Sequence, residues 1–214
     1  MNETMLVKGN PVRGRLNAAV LRMLDGYGHH LFGKRKRRLF AGLPGTVVEI
    51  GPGTGANLRY YRPGTRVVAV EPNPYMHGPL LAEGRRRGVE VELRAEGAER
   101  IGLPDASVDA VVSTLVLCTV PDPAAAIREI GRILRPGGRL VFVEHVRAVD
   151  SWGYAVTQRI LERPWRWLFE GCEVRRDTEL LLRAGGFAEV DVDRYRIVSP
   201  LLPINPQIAG VARR

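Results

Sequence analysis

Residues 47–57 read Val-Val-Glu-Ile-Gly-Pro-Gly-Thr-Gly-Ala-Asn, and this stretch decides the fold. A short β-branched run suits a parallel strand covered on both faces. Gly51, Gly53 and Gly55 then let the backbone turn sharply and approach a ligand closely before a helix begins. A second β-branched run, 66–70, delivers Glu71 roughly twenty residues beyond the glycines, where an acid can accept hydrogen bonds from both hydroxyls of a ribose. A glycine turn alone could serve merely to pack a helix on a sheet. Joined to that acid, it predicts a nucleotide-type cofactor site at the head of a parallel sheet.

Glycine spacing separates two cofactor chemistries. The dinucleotide fingerprint is G-x-G-x-x-G, with amides at the helix start facing a pyrophosphate. This chain has G-x-G-x-G, preceded two residues earlier by Glu49. A carboxylate aimed into the loop repels phosphates and favours a cation, such as the amino group or sulfonium of S-adenosylmethionine. Glu-Ile-Gly-Pro-Gly-Thr-Gly-Ala-Asn followed by Val-Ala-Val-Glu-Pro-Asn-Pro resembles motifs I and II of the class I S-adenosylmethionine-dependent methyltransferases. The resemblance implies an α/β fold of the Rossmann-like, doubly wound kind, with a mostly parallel seven-stranded sheet ending in a C-terminal antiparallel pair. It implies a helical cap over residues 1–44 and a methyltransferase domain over 45–214.

Composition sets outer bounds. A chain of 214 residues fits a single core on the prior of ~100–200 residues per domain. Lys and Arg number 32 against 23 Asp and Glu, a formal charge of +9, which attracts phosphates or an anionic membrane surface. The excess is almost all arginine, alongside abundant Ala, Gly, Pro and Val, the bias of a GC-rich genome. No nucleic-acid partner is therefore expected. Cys118 and Cys172 are the two cysteines; with no C-x-x-C spacing and no His cluster, neither a disulfide framework nor a metal site is indicated. No run of ~18 apolar residues and no signal-peptide pattern occur, so a soluble, cytoplasmic protein is expected.

Along the chain, strands and helices alternate, as right-handed β-α-β crossovers require. The pattern predicts helices over 57–61, 80–87, 124–134 and 174–184, and strands over 47–50, 66–70, 89–93, 108–112, 140–146, 187–196 and 207–212. Arg135-Pro136-Gly137-Gly138 reads as the turn between the third of these helices and the fifth strand. Residues 152–169, aromatic and amphipathic, read as a lid. Leu16, Val20, Met23 and Leu24 repeat at helical spacing and read as a cap over the cofactor, with Tyr27, His29 and His30 directed toward the site.

Open parallel sheets bind ligands beyond the carboxyl ends of their strands, and the polar positions of interest fall there. The family resemblance assigns cofactor binding to Glu49, Gly51, Pro52, Gly53, Thr54, Gly55 and Asn57 after the first strand, and to Glu71, Pro72 and Asn73 after the second. Ala98 and Glu99 follow the third, where Glu96-Gly97-Ala98-Glu99 stands in place of the more usual Asp-Ala pair beside the adenine. Ser113, Thr114 and Leu115 follow the fourth. His145, at the end of the fifth, is the candidate catalytic base because imidazole titrates near neutrality; its bland alternative is a hydrogen bond to a nearby loop. Cys118 and Cys172 read as small buried fillers, and Trp152, Trp165 and Trp167 as packing for the lid or lining for an apolar substrate pocket. Lys34-Arg35-Lys36-Arg37-Arg38 reads as a solvated helix face or a weak peripheral membrane contact.

Further segments, Thr-Leu-Val-Leu-Cys at 114–118, Val-Glu-His-Val at 143–146 and Leu-Phe-Glu-Gly-Cys at 168–172, resemble the type-11 methyltransferase domain and, within it, the branch acting on alkyl thiols. Relatives in that branch carry an N-terminal apolar anchor that is not seen in this sequence. The resemblance implies that S-adenosylmethionine supplies a methyl group to a small-molecule acceptor, leaving S-adenosylhomocysteine, with a thiol favoured. A quinone-like ring, a phenol or a lipid amine is the rival acceptor, and a cofactor-binding module without turnover is the rival class. No Asn-Pro-Pro-Tyr signature for exocyclic amines follows the fourth strand.

Overall fold

The computed structural model describes residues 11–214, and residues 1–10 of the expected cap lie outside them. Helix α1 (Pro11–Phe40) leads into β1 (Thr46–Ile50), a 3-10 turn at Leu58–Tyr60, β2 (Arg66–Val70), α2 (Pro74–Arg87) and β3 (Glu90–Arg94). There follow β4 (Val108–Thr114), α3 (Pro123–Ile133), β5 (Leu134–His145), α4 (Trp152–Leu168), α5 (Thr178–Arg183), β6 (Glu189–Arg196) and β7 (Pro206–Arg213). The seven strands lie in the order β3-β2-β1-β4-β5-β7-β6. The first five are parallel, and β7 runs antiparallel to both β5 and β6.

After their first residues β1 and β2 are buried throughout, which is why they are rich in valine and isoleucine. Val48, Ile50, Val68 and Val70 pack into one layer with Ile127, Ile130 and Ile133 of α3. Val47, Val67 and Ala69 pack into the other with Phe40, Leu58, Tyr61 and Leu80. Asp122 starts α3 by accepting a hydrogen bond from the Ala125 amide at 2.9 Å, an N-cap that fixes the helix entry. Each wholly buried isoleucine of α3 contributes about 1.5–3 kcal/mol.

Three elements depart from the sequence expectation. The Pro-Gly-Gly segment at 136–138 is no free turn: β5 begins at Leu134, pairs with Val108, and resumes at Arg139 opposite Ala110 after an irregularity in register. The turn signal is expressed as a bulge inside the strand, residues 135–138 having no partner in β4 and Gly137 taking a φ of 78°. Helix α2 starts earlier than expected, because the Asn73 side chain accepts from the Tyr75 amide at 3.0 Å and caps it. In α1 the apolar repeat does not form the packed face, since Leu16 is 42% and Met23 83% exposed. Gly14, Asn17 and Ala18 are buried instead. A side chain at Gly14 would come within 2.8 Å of the Tyr75 ring, so small residues bring α1 close to α2. Gly210 answers a similar need in β7, where an added Cβ would lie 1.9 Å from the Asp191 carbonyl oxygen. Among the described residues, no helix is long and apolar enough to cross a membrane.

Candidate active site

The glycine loop follows β1 at the point where strand order reverses, between β1 and β4. Gly51 and Gly53 take positive φ angles of 55° and 58°, open to glycine at little cost. At Gly51 a side chain would collide with Val116, 2.6 Å away, whereas at Gly53 nothing lies within 4 Å of an added Cβ. One glycine lets the loop pack; the other leaves space above it. The buried Glu71 carboxylate spans the loop and the next turn, accepting from the Gly53 amide and the Asn73 amide, each at 2.9 Å. Burial lifts its pKa to about 6 despite those two bonds. A carboxylate has about four lone-pair positions, so two amides leave acceptor capacity for the two hydroxyls of a ribose. Open space at Gly53 beside a buried acceptor fits a nucleoside.

Glu49 sits deeper than its sequence position suggests. Its oxygens accept from Asn57 Nδ2 at 2.7 Å and the Tyr61 hydroxyl at 2.8 Å. Asn57 Nδ2 also donates to Thr114 Oγ1 at 2.8 Å, and Lys36 Nζ donates to Asn57 Oδ1 at 2.8 Å. Burial pushes Glu49 up and pulls the Lys36 ammonium down to about 8, while each favours the other's charge. Lys36 therefore leaves the solvated face on which Lys34, Arg37 and Arg38 remain. Its position in a basic run gave no sign of this. His29 meets the Tyr60 hydroxyl at 2.7 Å instead of the glycine loop, and His30 is exposed.

Pro52 is buried beneath the loop, Thr54 and Gly55 continue it, and Pro72 is exposed beyond β2. Ala98 is buried, and Glu99 accepts from the Asp122 amide at 3.3 Å, tying the loop after β3 to the start of α3. Ser113 donates to Glu144 at 2.6 Å, and Glu144 also receives the Val116 amide. Between them Leu115 has a φ of 59°, a left-handed conformation unusual for a branched side chain.

His145 faces sulfur. Its Nε2 lies 3.1 Å from Cys172 Sγ, which is 3.4 Å from Cys118 Sγ, and all three residues are buried. Both cysteines are free thiols. The Trp165 indole N–H points at Cys172 Sγ from 3.3 Å, and its ring packs on Phe169 at 4.4 Å. The contact with Cys172, then burial, pushes the Cys118 thiol well above its usual range. For His145, burial opposes the charged imidazole, but Cys118 and Glu144 outweigh it and the net shift is upward. Trp152 and Trp167 face solvent, 83% and 66% exposed, so Trp165 alone of the three turns inward. Just beyond α4, Glu170 accepts from Asn73 Nδ2 at 3.1 Å and joins the lid to the cofactor side. The sequence reading missed the sulfur–imidazole cluster, although both cysteines stood in the segments that mark the thiol branch.

A doubly wound sheet with a glycine loop and a buried carboxylate at its switch point is the arrangement in which open α/β folds hold nucleoside ligands. The family described as methyltransferase domain matches residues 48–142. Human thiol S-methyltransferase TMT1B is 37% identical over 190 residues, 83% of this chain and 78% of that protein. Human thiol S-methyltransferase TMT1A is 37% identical over 179 residues, 81% of this chain and 73% of that protein. A solved S-adenosylmethionine-dependent methyltransferase from Thermotoga maritima shares the fold, with a TM-score of 0.66 and 22% identity over 92% of this chain and 98% of that one. The chain belongs to the S-adenosylmethionine-dependent methyltransferases, in the family of TMT1A and TMT1B. It is an enzyme whose methyl donor is S-adenosylmethionine and whose acceptor is a small molecule.

Proposed function

We propose that this enzyme methylates the sulfur of a small thiol. The observation that carries the reading is the identity, over more than four-fifths of the chain, to two proteins named thiol S-methyltransferases. Bound S-adenosylmethionine supplies a methyl group already activated on a sulfonium, so the protein's work is alignment and exclusion of water. In this reading Gly51, Gly53 and Gly55 admit the cofactor backbone-close, Glu71 accepts from its ribose, and Ala98 with Glu99 flank the base. Glu49, held by Asn57, Tyr61 and Lys36, sets the loop's charge and shape. Ser113, Thr114 and Leu115 border the junction of donor and acceptor.

The acceptor side suits a weakly acidic, apolar nucleophile. Leu115, Trp165, Phe169 and Tyr195 surround Cys118 and Cys172 with apolar surface. A thiol of pKa ~8.5 is already a few per cent ionised near neutrality and needs only a modest bias. His145 is the titratable group of that edge that can respond to the proton leaving the acceptor. Lys34, Arg37 and Arg38 keep a small basic surface that would add weak attraction to anionic lipid.

A labelled-methyl assay over panels of alkyl thiols, phenols, quinones and amines tests the reading. Label should pass to thiols. Transfer confined to another panel replaces the acceptor class, and tight S-adenosylhomocysteine binding with no transfer leaves a binding module.

A further inference from the structure

The least explained group in the molecule is the buried set Cys118, His145 and Cys172. Their Sγ and imidazole nitrogen atoms all lie within 4.8 Å of one another. They come from the loop after β4, the end of β5 and the loop after α4, and they converge at the carboxyl edge of the sheet. That edge is where such folds hold ligands. Since the glycine loop and Glu71 occupy the β1–β2 half, the cluster stands on the acceptor half. We propose that Cys118, His145 and Cys172 form a three-ligand site for a thiophilic divalent ion of the zinc class, with its fourth position open to the acceptor sulfur.

The donor set selects the ion. Two sulfurs and an imidazole suit zinc and exclude magnesium or calcium, which want oxygen. Three protein ligands with one open position is the pattern of zinc sites that do chemistry. With Zn–S near 2.3 Å and Zn–N near 2.0–2.1 Å, tetrahedral geometry separates sulfurs by ~3.8 Å and nitrogen from sulfur by ~3.6 Å. The present spacings of 3.4 Å and 3.1 Å need to widen by only a few tenths of an ångström. Charge balance points the same way. Two thiolates in this apolar setting are costly alone, but with one divalent ion the site is neutral. Arg176 is paired with Glu173 at 2.8 Å, and the Glu144 oxygens are satisfied by the Ser113 hydroxyl and the Val116 amide, so both groups are already held and neither competes for the ion. With Nε2 turned to the sulfurs, the other ring nitrogen, Nδ1, is buried and has no hydrogen-bond partner among the described residues. Gln207 Oε1, on the residue paired with His145 across β5 and β7, is also unpartnered and buried. The free ring nitrogen is the one through which a metal-bound imidazole is ordinarily oriented by a further partner.

Loading the ion deprotonates both cysteines and forms two metal–sulfur bonds and one metal–nitrogen bond, releasing two protons to solvent. An acceptor thiol entering the fourth position displaces a water; its S–H bond breaks, a metal–sulfur bond forms and one further proton leaves. The ion then does the job that a base at His145 would otherwise do. That last role rests on the thiol reading above, whereas the site itself does not.

The test uses the full chain, reduced, stripped with a chelator and titrated with cobalt(II) as the spectroscopic probe. The expected result is one ion per chain, sulfur-to-metal charge-transfer absorption with tetrahedral bands in the visible, and displacement by one equivalent of zinc. Cys118→Ser and Cys172→Ser should each weaken uptake at least about tenfold and erase part of the charge-transfer band. S-adenosylhomocysteine binding, which uses the other half of the edge, reports that the variants fold. No stoichiometric uptake, or uptake indifferent to both substitutions, overturns the site. Addition of a small alkyl thiol should shift the cobalt spectrum. Uptake without that shift removes the acceptor role, while thiol methylation by a chain that takes up no metal sinks this inference and leaves the thiol reading standing.

Discussion

The two halves of the ligand edge are built from different materials. On the β1–β2 side, backbone amides, carboxylates and amide side chains lock one another within a short span of chain: Glu71 holds Gly53 and Asn73, and Glu49 holds Asn57 and Tyr61. On the β4–β5 side, sulfur, imidazole and aromatic rings meet from segments 27 and 54 positions apart. A polar hydrogen-bonded network rigidifies and specifies one geometry. Soft, apolar surroundings suit a range of small acceptors. On the proposed reading, one half fixes the donor and the other leaves the recipient to shape and polarisability.

That division can be broken. Glu71→Ala should weaken S-adenosylhomocysteine binding by on the order of 1–3 kcal/mol, roughly fivefold to more than a hundredfold, in calorimetry. The acceptor KM should stay within a factor of about two. An equal loss on both sides would show that the halves act as one unit, and unchanged cofactor affinity would remove Glu71 from the ribose.

Acidity probes the same carboxylate with a smaller effect. Burial raises Glu71 from 4.5 to about 6, so the folded, ligand-free chain holds that proton more tightly than the unfolded chain. The stability this group adds is full below pH 4.5 and is lost as pH rises through about 6. A ribose donates to the ionised form, so product-cofactor affinity should climb between about pH 5 and 7, by up to about tenfold, and Glu71→Gln should flatten the climb. A flat profile in the unmodified enzyme contradicts the assignment.

Trp165→Phe removes the N–H that faces Cys172 but keeps an aromatic body on Phe169. It should cost about 0.5–1.5 kcal/mol in denaturant unfolding and raise the acceptor KM a few-fold, leaving cofactor affinity unchanged. A change confined to the cofactor would invert the comparison. Met23→Gln sets the floor: at 83% exposure it should move stability by no more than about 0.5 kcal/mol. A larger loss would restore the apolar stripe of α1 as a packed face.

The same contrast explains what could be read from sequence. The donor half was legible because its chemistry is local: a strand, a glycine turn, then an acid at the end of the next strand. The sheet itself followed from β-branched runs that must be covered on both faces. The acceptor half was not legible, because nothing in the spacing of Cys118, His145 and Cys172 announces that β4, β5 and the loop after α4 converge. Lys36 was hidden for a related reason. A basic run reads as solvent-facing, and only the packing of α1 against the glycine loop turns one of its members inward. At Pro136-Gly137-Gly138 the turn signal was real, and what the sequence could not show is that β5 already pairs at Leu134 before it.

Leu115 carries a practical consequence for anyone retooling which nucleophiles the enzyme takes. Its amide is held by the Val143 carbonyl at 2.9 Å, a bond that needs no side chain. A left-handed backbone costs a leucine about 1–2 kcal/mol that a glycine does not incur. Trimming Leu115 to glycine therefore relieves the chain there but surrenders the leucine's half-buried packing beside Cys118 and Cys172, so a wider opening at this position comes with strain released on one side and apolar burial lost on the other.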